Sequence, residues 1–207
     1  YEADLFRLRV YDRQTGRVKD LTTGFDQWVN SFSWAADSDT IYFNAPERGR
    51  QPIFKTSVSK PKVEQVVGGF TEDLQVTPDG RWLAFTGSSL TQPSELWRAS
   101  AVESSTTAVT ATGPLRFITT LGNRASQLTH ANDAAMAELD LNPVEDVSTK
   151  GALGAQIHSL LVNPPGFDTS KKYPAIVLIH GGPQSAWDDA WGYRWNAQMF
   201  AARGYVV

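Results

Sequence analysis

The pattern of apolar and polar positions repeats along the first half of the chain at a fixed spacing. Segment 32–43, FSWAADSDTIYF, aligns with segment 74–85, LQVTPDGRWLAF, at an offset of 42 residues without a gap. In both segments, apolar positions alternate with polar ones around a short turn that contains Asp37 or Asp79. Alternation with a period of two predicts β-strands, because successive side chains of a strand point to opposite faces. Each unit therefore begins with a predicted β-hairpin.

Further strands follow each hairpin and complete a unit of characteristic length. Alternation predicts a third strand over 53–58 in the first unit and over 95–99 in the second, with a fourth at 65–67. Four strands in about 40–45 residues are typical of one β-propeller blade. Segments 5–11 and 18–22 resemble part of an earlier unit. A β-sandwich with accidental internal similarity is the alternative, because alternation alone does not distinguish the two folds.

The predicted propeller is partial. About two and a half to three blades cannot close a ring, which needs at least about four. Residues 101–113 are rich in Ser, Thr and Ala and predict a loop, and the strand-like segment 127–129 extends the propeller to about Ala131. We therefore assign 1–132 to the C-terminal blades of a β-propeller and expect the chain to be an internal fragment of a larger protein.

The pattern changes after residue 133 and predicts the N-terminal part of an α/β-hydrolase domain over 133–207. The run AIVLI at 175–179 is continuously apolar, as in a central strand that is buried on both faces. A Gly-rich loop, a helix over 195–203 that Gly204 ends, and a further buried strand at 205–207 follow it. The other predicted elements are a short helical linker at 134–139 and two strands, 144–148 and 155–163, joined by a turn at Lys150-Gly151.

The loop His180-Gly181-Gly182-Pro183 is the candidate site with the clearest chemistry. A glycine pair after a buried strand lets the backbone turn sharply and approach a ligand closely. In α/β-hydrolases this loop supplies one backbone N–H of the oxyanion hole, which stabilises the negative oxygen of a tetrahedral intermediate. Gly182 is our candidate donor, because proline has no N–H to donate. The alternative for these residues is an ordinary strand-to-loop turn.

The sequence around this loop points to a known family. The run YPAIVLIHGGPQ at 173–184, followed by YRWNAQMFAARGYVV at 193–207, resembles the prolyl oligopeptidase family of serine peptidases, within it the dipeptidyl-peptidase and acylaminoacyl-peptidase branch. The resemblance implies a propeller that screens substrates for an α/β-hydrolase domain, hydrolysis of short peptides through an acyl-enzyme, and an oxyanion role for 180–183. Bacterial relatives are often exported, so the resemblance favours a periplasmic or secreted protein without deciding the compartment.

The chain contains no nucleophile elbow. The elbow reads Gly-x-Ser-x-Gly, and Ser89 has Gly87 two residues before it but Thr91 two residues after it. In this fold the triad residues follow the first helix in the order Ser, Asp, His. We therefore expect no member of the triad within 1–207, no catalysis by this segment alone, and the remainder of its own chain as an essential partner. His180 precedes the expected nucleophile strand, which predicts a loop-ordering histidine and not a catalytic base.

Three tryptophans after the loop allow two interpretations. Trp187, Trp191 and Trp195 are spaced by four, and Met199 continues the series. This spacing predicts one apolar face of the loop and helix packed on the sheet. Alternatively, Trp187 or Trp191 lines the substrate pocket, because the segment after an oxyanion loop borders the site.

Acidic pairs are candidates for binding a substrate's amino group. Asp188-Asp189 predicts a solvated helix start, with amine binding as the alternative. Glu72-Asp73 lies at a predicted blade edge, where acidic residues of related aminopeptidases hold the amino terminus, although the motif match is poor. For His130 and His158 we predict structural or exposed positions.

Composition excludes several other classes of function. The net charge of −3 gives no basic surface for nucleic acid or for a membrane. No apolar run approaches the roughly 20 residues of a membrane helix. The absence of cysteine excludes disulfides and thiol nucleophiles, and three scattered histidines predict neither a metal site nor a cofactor. Two alternative functions stay open: an esterase-like hydrolase, and a propeller-based binding protein with an inactive hydrolase domain. The sequence also leaves open whether the protein forms a homo-oligomer.

Overall fold

The repeats form two four-stranded antiparallel sheets. A computed structural model describes residues 4–101, 125–182 and 184–207, so the predicted loop at 101–113 lies almost wholly outside the described residues. In each sheet the strands pair in chain order as a meander, the arrangement of a propeller blade. The first sheet contains β3 (Ser31–Trp34), β4 (Thr40–Asn44), β5 (Ile53–Ser57) and β6 (Glu64–Val67), the second contains β7 (Phe70–Val76), β8 (Trp82–Ser89), β9 (Gln92–Ser100) and β10 (Ser126–Gln127), and a hairpin of β1 (Arg9–Tyr11) and β2 (Val18–Asp20) precedes them.

Equivalent turns in the two sheets have the same backbone conformation. Ser38 and Gly80, 42 residues apart, have φ angles of 57° and 68°, in the left-handed region. A Cβ atom on Gly80 would lie 2.9 Å from the Cβ of Ala36, so the second turn packs directly on the first. Glycine is required at position 80 for both reasons, whereas position 38 already carries a side chain.

The core lies between successive sheets. Along β4, Ile41 and Phe43 are buried in a cluster with the first hairpin, and Tyr42 is buried in a cluster with the second sheet. Alternate side chains of a strand point to opposite faces, so β4 is apolar at successive positions because a neighbouring layer covers each face. Phe43 stacks on Phe54 with ring centroids 5.6 Å apart.

A buried polar contact joins the two sheets. The Asn44 side chain is completely buried at the end of β4, and its Nδ2 donates to the backbone oxygen of Thr71 at 3.1 Å and to its Oγ1 at 2.6 Å. The Oγ of Ser31 donates to Asn44 Oδ1 at 2.8 Å. Each amide atom of Asn44 therefore has a partner, as burial of a polar side chain requires.

The rest of the chain forms a hairpin and a small layer against it. Two antiparallel strands, β11 (Val144–Lys150) and β12 (Gln156–Val162), pair in register around the turn that the sequence predicts. A short helix, α1 (Asp133–Met136), precedes them, and α2 (Ala197–Ala201) packs against β12 through Ala197, Ala201 and Val162. The predicted domain boundary between 132 and 133 stays a prediction.

The predicted central strand at 175–179 is not buried on both faces. Ala175 makes only an isolated parallel bridge with Val206, and Val177 and Ile179 are 80% and 83% exposed. Leu178 packs against the cluster around Val162, but among the described residues nothing covers Val177 and Ile179 on the other face. The prediction of a buried strand at 205–207 fails for the same reason, although Val207 exchanges two backbone hydrogen bonds with Val162 at 2.9 Å.

The helix predicted over 195–203 is shorter in the structure. Trp195 has a φ of 59°, which does not fit a right-handed helix, and the helix begins after Asn196. The Asn196 side chain caps it by accepting from the backbone N–H of Gln198 at 3.0 Å. Gly204, with a φ of 88°, follows the helix as predicted.

Candidate functional site

The candidate oxyanion loop is exposed and has a glycine-specific backbone. Gly182 has a φ of 146°, and a Cβ atom there would lie 2.8 Å from the backbone nitrogen of Gln184. His180 Nδ1 lies 2.8 Å from the backbone oxygen of Gly181, a contact within the loop that fits a loop-ordering histidine. Pro183 lies outside the described residues. Any residue other than glycine at position 182 would therefore be strained.

A cavity of about 810 Å³ opens beside this loop. Its wall includes His180, the apolar run 175–179, strand β12, and the turn at 46–49. Trp187 is part of the wall, whereas Trp191 is not among the described residues that line it. Its lining is largely apolar, which suits a binding cleft with few polar groups.

The tryptophan series does not form one packed face. Trp195 and Met199 are 56% and 71% exposed, and Trp187 and Trp191 lie before α2 in irregular backbone. The prediction of a common apolar face is wrong because the helical spacing of four has meaning only within a helix, and α2 begins at Ala197. The indole of Trp191 is instead set edge-on against Tyr193, with ring centroids 6.0 Å apart.

Asp189 does not start a helix but contacts turns from both sheets. Its backbone N–H donates to the oxygen of Gly49 at 2.7 Å, in the β4–β5 connection. Its Oδ1 accepts the N–H of Leu90 at 2.9 Å, in the β8–β9 turn. Its Oδ2 lies 3.4 Å from Nη2 of Arg50. The prediction of a solvated helix start at Asp188-Asp189 is therefore wrong, since no helix begins there.

Arg50 links Asp189 to the hairpin of β11 and β12. Its Nη1 donates to Oδ1 of Asp146 at 2.6 Å, and His158 Nε2 lies 2.8 Å from the same oxygen. Burial alone would raise the pKa of Asp146, but the hydrogen bonds with His158 and Arg50 outweigh it and hold the pKa below its ordinary value. His158 is thus a structural histidine on β12, as predicted.

Asp188 lies in a less favourable environment for a charge. Burial raises the pKa of its carboxyl above the ordinary value, and the nearby negative charge of Glu72 raises it further. The adjacent Asp73 accepts from Thr86 Oγ1 at 2.8 Å within its own sheet. The structure thus brings Glu72 near Asp188, two of the residues that the sequence offered as amine-binding candidates.

Other candidate groups are isolated in the described parts of the chain. His130 Nδ1 contacts Asp133 Oδ2 at 2.8 Å on the surface. Within 4–101, 125–182 and 184–207, no group of three or more His, Asp and Glu side chains could hold a metal ion. Over the same residues, the structure contains no helix of the length and apolar character needed to cross a membrane.

Sequence comparison finds peptidases along the entire chain. The chain is 30% identical over 207 residues to dipeptidyl-peptidase 5 of Porphyromonas gingivalis and 31% identical over 211 residues to a probable dipeptidyl-peptidase 5 of Emericella nidulans. All of the chain is covered in both, but only 28% and 27% of those relatives. No family model matches. The chain therefore spans little more than a quarter of the length of these peptidases.

Solved structures with a similar fold are peptidases too. The acylaminoacyl peptidase of Pyrococcus horikoshii superposes with a TM-score of 0.70 at 18% identity, covering 97% of this chain and 27% of that one. Dipeptidyl peptidase 4 of Porphyromonas gingivalis superposes with a TM-score of 0.65 at 20% identity. The chain therefore shares its fold with about a quarter of each of these peptidases. The resemblance to the prolyl oligopeptidase family is confirmed over the segment that the chain spans.

Sequence reasoning missed Arg50 and the structural use of Asp189. The Asp189 carboxylate binds Leu90, which is 99 residues away in the chain, and Arg50 binds Asp146 across 96 residues. No local pattern connects such positions. The one available signal was the 42-residue offset, which makes Arg48 and Leu90 equivalent and so predicts that their turns lie side by side.

Proposed function

We propose that the protein containing this segment is a serine peptidase that releases dipeptides or other short peptides through an acyl-enzyme. The observation that carries the proposal is the similarity of all 207 residues, with no part excluded, to dipeptidyl-peptidases. The nucleophile and its triad partners would lie outside this segment.

The loop at 180–183 would supply one donor of the oxyanion hole. The Gly182 N–H is our candidate, because its residue lies at the end of the apolar run and has a backbone conformation that only glycine adopts readily. A fixed N–H meets the charge that develops on the substrate oxygen without reorganisation. Removing one such donor typically costs about 10²–10³-fold in kcat.

The repeats would form the part of a propeller that borders the substrate cleft. The cavity supports this role, because the turn at 46–49 of the first sheet and the residues around His180 form parts of one wall. A peptide in this cleft would lie between the two regions. Screening of substrates by size would follow from such a covered cleft.

A serine-reactive probe tests the proposal. We expect the full-length protein to gain one fluorophosphonate adduct by intact mass and to hydrolyse dipeptidyl-coumarylamides. An esterase-like enzyme would take the adduct but leave the amides intact. A binding protein with an inactive hydrolase domain would show neither result, and this outcome would refute the proposal.

Two glycine substitutions, one in the loop and one outside it, test the role of the oxyanion loop. Gly182→Ala should lower kcat by about 10²-fold, because the added Cβ at 2.8 Å from Gln184 must displace the N–H. Gly166→Ala is the matched control, since Gly166 also has a positive φ, 67°, but open space around it. Equal losses in the two variants would contradict the role of the loop.

A further inference from the structure

We propose that Asp189 is a positioning residue that holds the candidate oxyanion loop against both sheets, with Arg50 as its ionic partner. As far as it concerns catalysis, this inference rests on the proposed function. The contacts themselves do not depend on it.

The two turns that bind Asp189 are equivalent parts of the repeat. The turn at 47–50 joins β4 to β5, and the turn at 89–92 joins β8 to β9. Arg48 in the first and Leu90 in the second are 42 residues apart, the offset of the repeat. A single residue therefore contacts equivalent turns of two consecutive sheets.

Each contact uses a different group of Asp189. The backbone N–H donates to Gly49, one carboxylate oxygen accepts from Leu90, and the other lies beside the guanidinium of Arg50. The side chains of Asp189 and Arg50 are only 18% and 24% exposed, so water screens the pair less than it screens a surface pair. Asn at position 189 would keep the acceptor for Leu90 and lose the charge.

The turn at Gly49 also contacts the segment that connects Asp189 to the loop. A Cβ atom on Gly49 would lie 3.0 Å from the backbone oxygen of Trp187, so the turn touches the segment between Asp189 and the loop. Gly49 and the preceding Arg48 have φ angles of 68° and 49°, which gives the tight two-residue turn that this close approach needs. Release of Asp189 would free the segment 184–188 from this surface.

Kinetics of the full-length protein test the inference. We expect Asp189→Asn and Arg50→Gln to lower kcat by about tenfold or more, since small misplacements of positioning groups cost that much, with KM within about threefold. The double variant should lose clearly less than the sum of the two single losses, because both changes break the Asp189–Arg50 pair, while Arg50→Gln also removes the contact with Asp146. Arg50→Lys should recover part of the loss, because it restores the positive charge.

A local ion pair is the matched control. Arg81 Nε contacts Asp79 Oδ2 at 2.6 Å, but the pair lies within one turn of the second sheet. Arg81→Gln should leave kcat within about twofold of the parent, as surface changes generally do. Additive losses in the Asp189 and Arg50 variants, or the same loss in the control, would overturn the inference.

Hydrogen exchange separates this inference from the proposed function. In the full-length protein, the Asp189 amide, which donates to Gly49, should be protected, and Asp189→Asn and Arg50→Gln should speed its exchange at least about tenfold. If the protein neither takes the fluorophosphonate nor hydrolyses peptides, the proposed function fails and the exchange result alone decides on the anchoring. Unchanged exchange in both variants would overturn it.

Discussion

Two segments that the sequence predicts as strands, β4 and the run 175–179, have opposite burial. Phe43 in β4 is completely buried, whereas Val177 and Ile179 are 80% and 83% exposed. Both segments contain successive β-branched or aromatic residues, which favour extended backbone. The difference lies in their neighbours, because β4 has a layer on each face, whereas the run 175–179 packs Leu178 against the cluster around Val162 and leaves its other face open in the described residues. An apolar pattern thus predicts where a strand belongs, but neighbouring elements decide whether it is buried.

Truncation of one side chain in each region gives the largest expected contrast. Phe43→Ala should cost about 3–5 kcal/mol of unfolding free energy, because it leaves a cavity among the packed rings of Phe25 and Phe54. Ile179→Ala should cost less than about 0.5 kcal/mol. Urea unfolding measures both values. A large cost at Ile179 would mean that another surface covers it in solution.

Loss of the polar contact between the sheets should have the second largest effect on the free energy of unfolding. Asn44→Ala removes the partner of the Ser31 hydroxyl and one of the two partners of Thr71 Oγ1, which should cost about 2 kcal/mol. Asn142→Ala, which removes hydrogen bonds to two backbone oxygens at 2.6–2.8 Å outside the sheets, is the comparison variant. Urea unfolding should show a smaller loss for Asn142, whose site is only partly buried. Equal losses of unfolding free energy in the two variants would show that the contact between the sheets stabilises the protein no more than the contacts of Asn142 do.

Substitution in the turn that approaches Trp187 should have the next largest effect on stability. Gly49→Ala combines a positive φ with a Cβ only 3.0 Å from a backbone oxygen, whereas Gly16→Ala has a similar φ, 71°, and open space. We expect a cost of about 1 kcal/mol at Gly16 from the backbone alone and a greater cost at Gly49. Thermal unfolding of the pair isolates the contact. Equal costs would show that the turn does not press on Trp187.

The smallest expected effect is a gain in stability at Asp188. Its pKa is raised in the folded state, so the unfolded chain ionises first and stability falls as the pH rises from the unfolded value of about 3.9 through the folded pKa. Asp188→Asn removes this penalty and should add about 0.5 kcal/mol at pH 7 but nothing at pH 3. The difference in melting temperature at the two pH values measures it. Asp26→Asn, at an exposed position, controls for the lost charge.

The repeat was predictable from the sequence because its determinants are local. Alternation, the turn residues around Gly80 and the constant offset of 42 residues predict the strands and the pairing of neighbours in chain order. The hairpin of β11 and β12 was predictable on the same grounds. The positions of these elements follow from contacts between residues that are close in the chain.

The site was only partly predictable because its geometry depends on distant residues. The glycine motif marks position 182, where the structure has a φ that favours glycine. The spacing of four in Trp187, Trp191 and Trp195 suggested a helical face, but the backbone there is irregular until Asn196. The contacts of Asp189 reach Leu90, 99 residues away, and the still more distant Gly49 and Arg50, and no periodicity in the sequence indicates them.

The packing of the Gly80 turn on Ala36 has a consequence for how the two copies of the repeat diverge. Equivalent positions 38 and 80 have similar backbone conformations, but Ser38 is exposed, whereas a Cβ at position 80 would lie 2.9 Å from that of Ala36. The contact between the two copies, and not the turn alone, therefore limits which residues position 80 accepts. Internal similarity should fade fastest at positions that face no neighbouring copy, and glycine should persist where one copy rests on another.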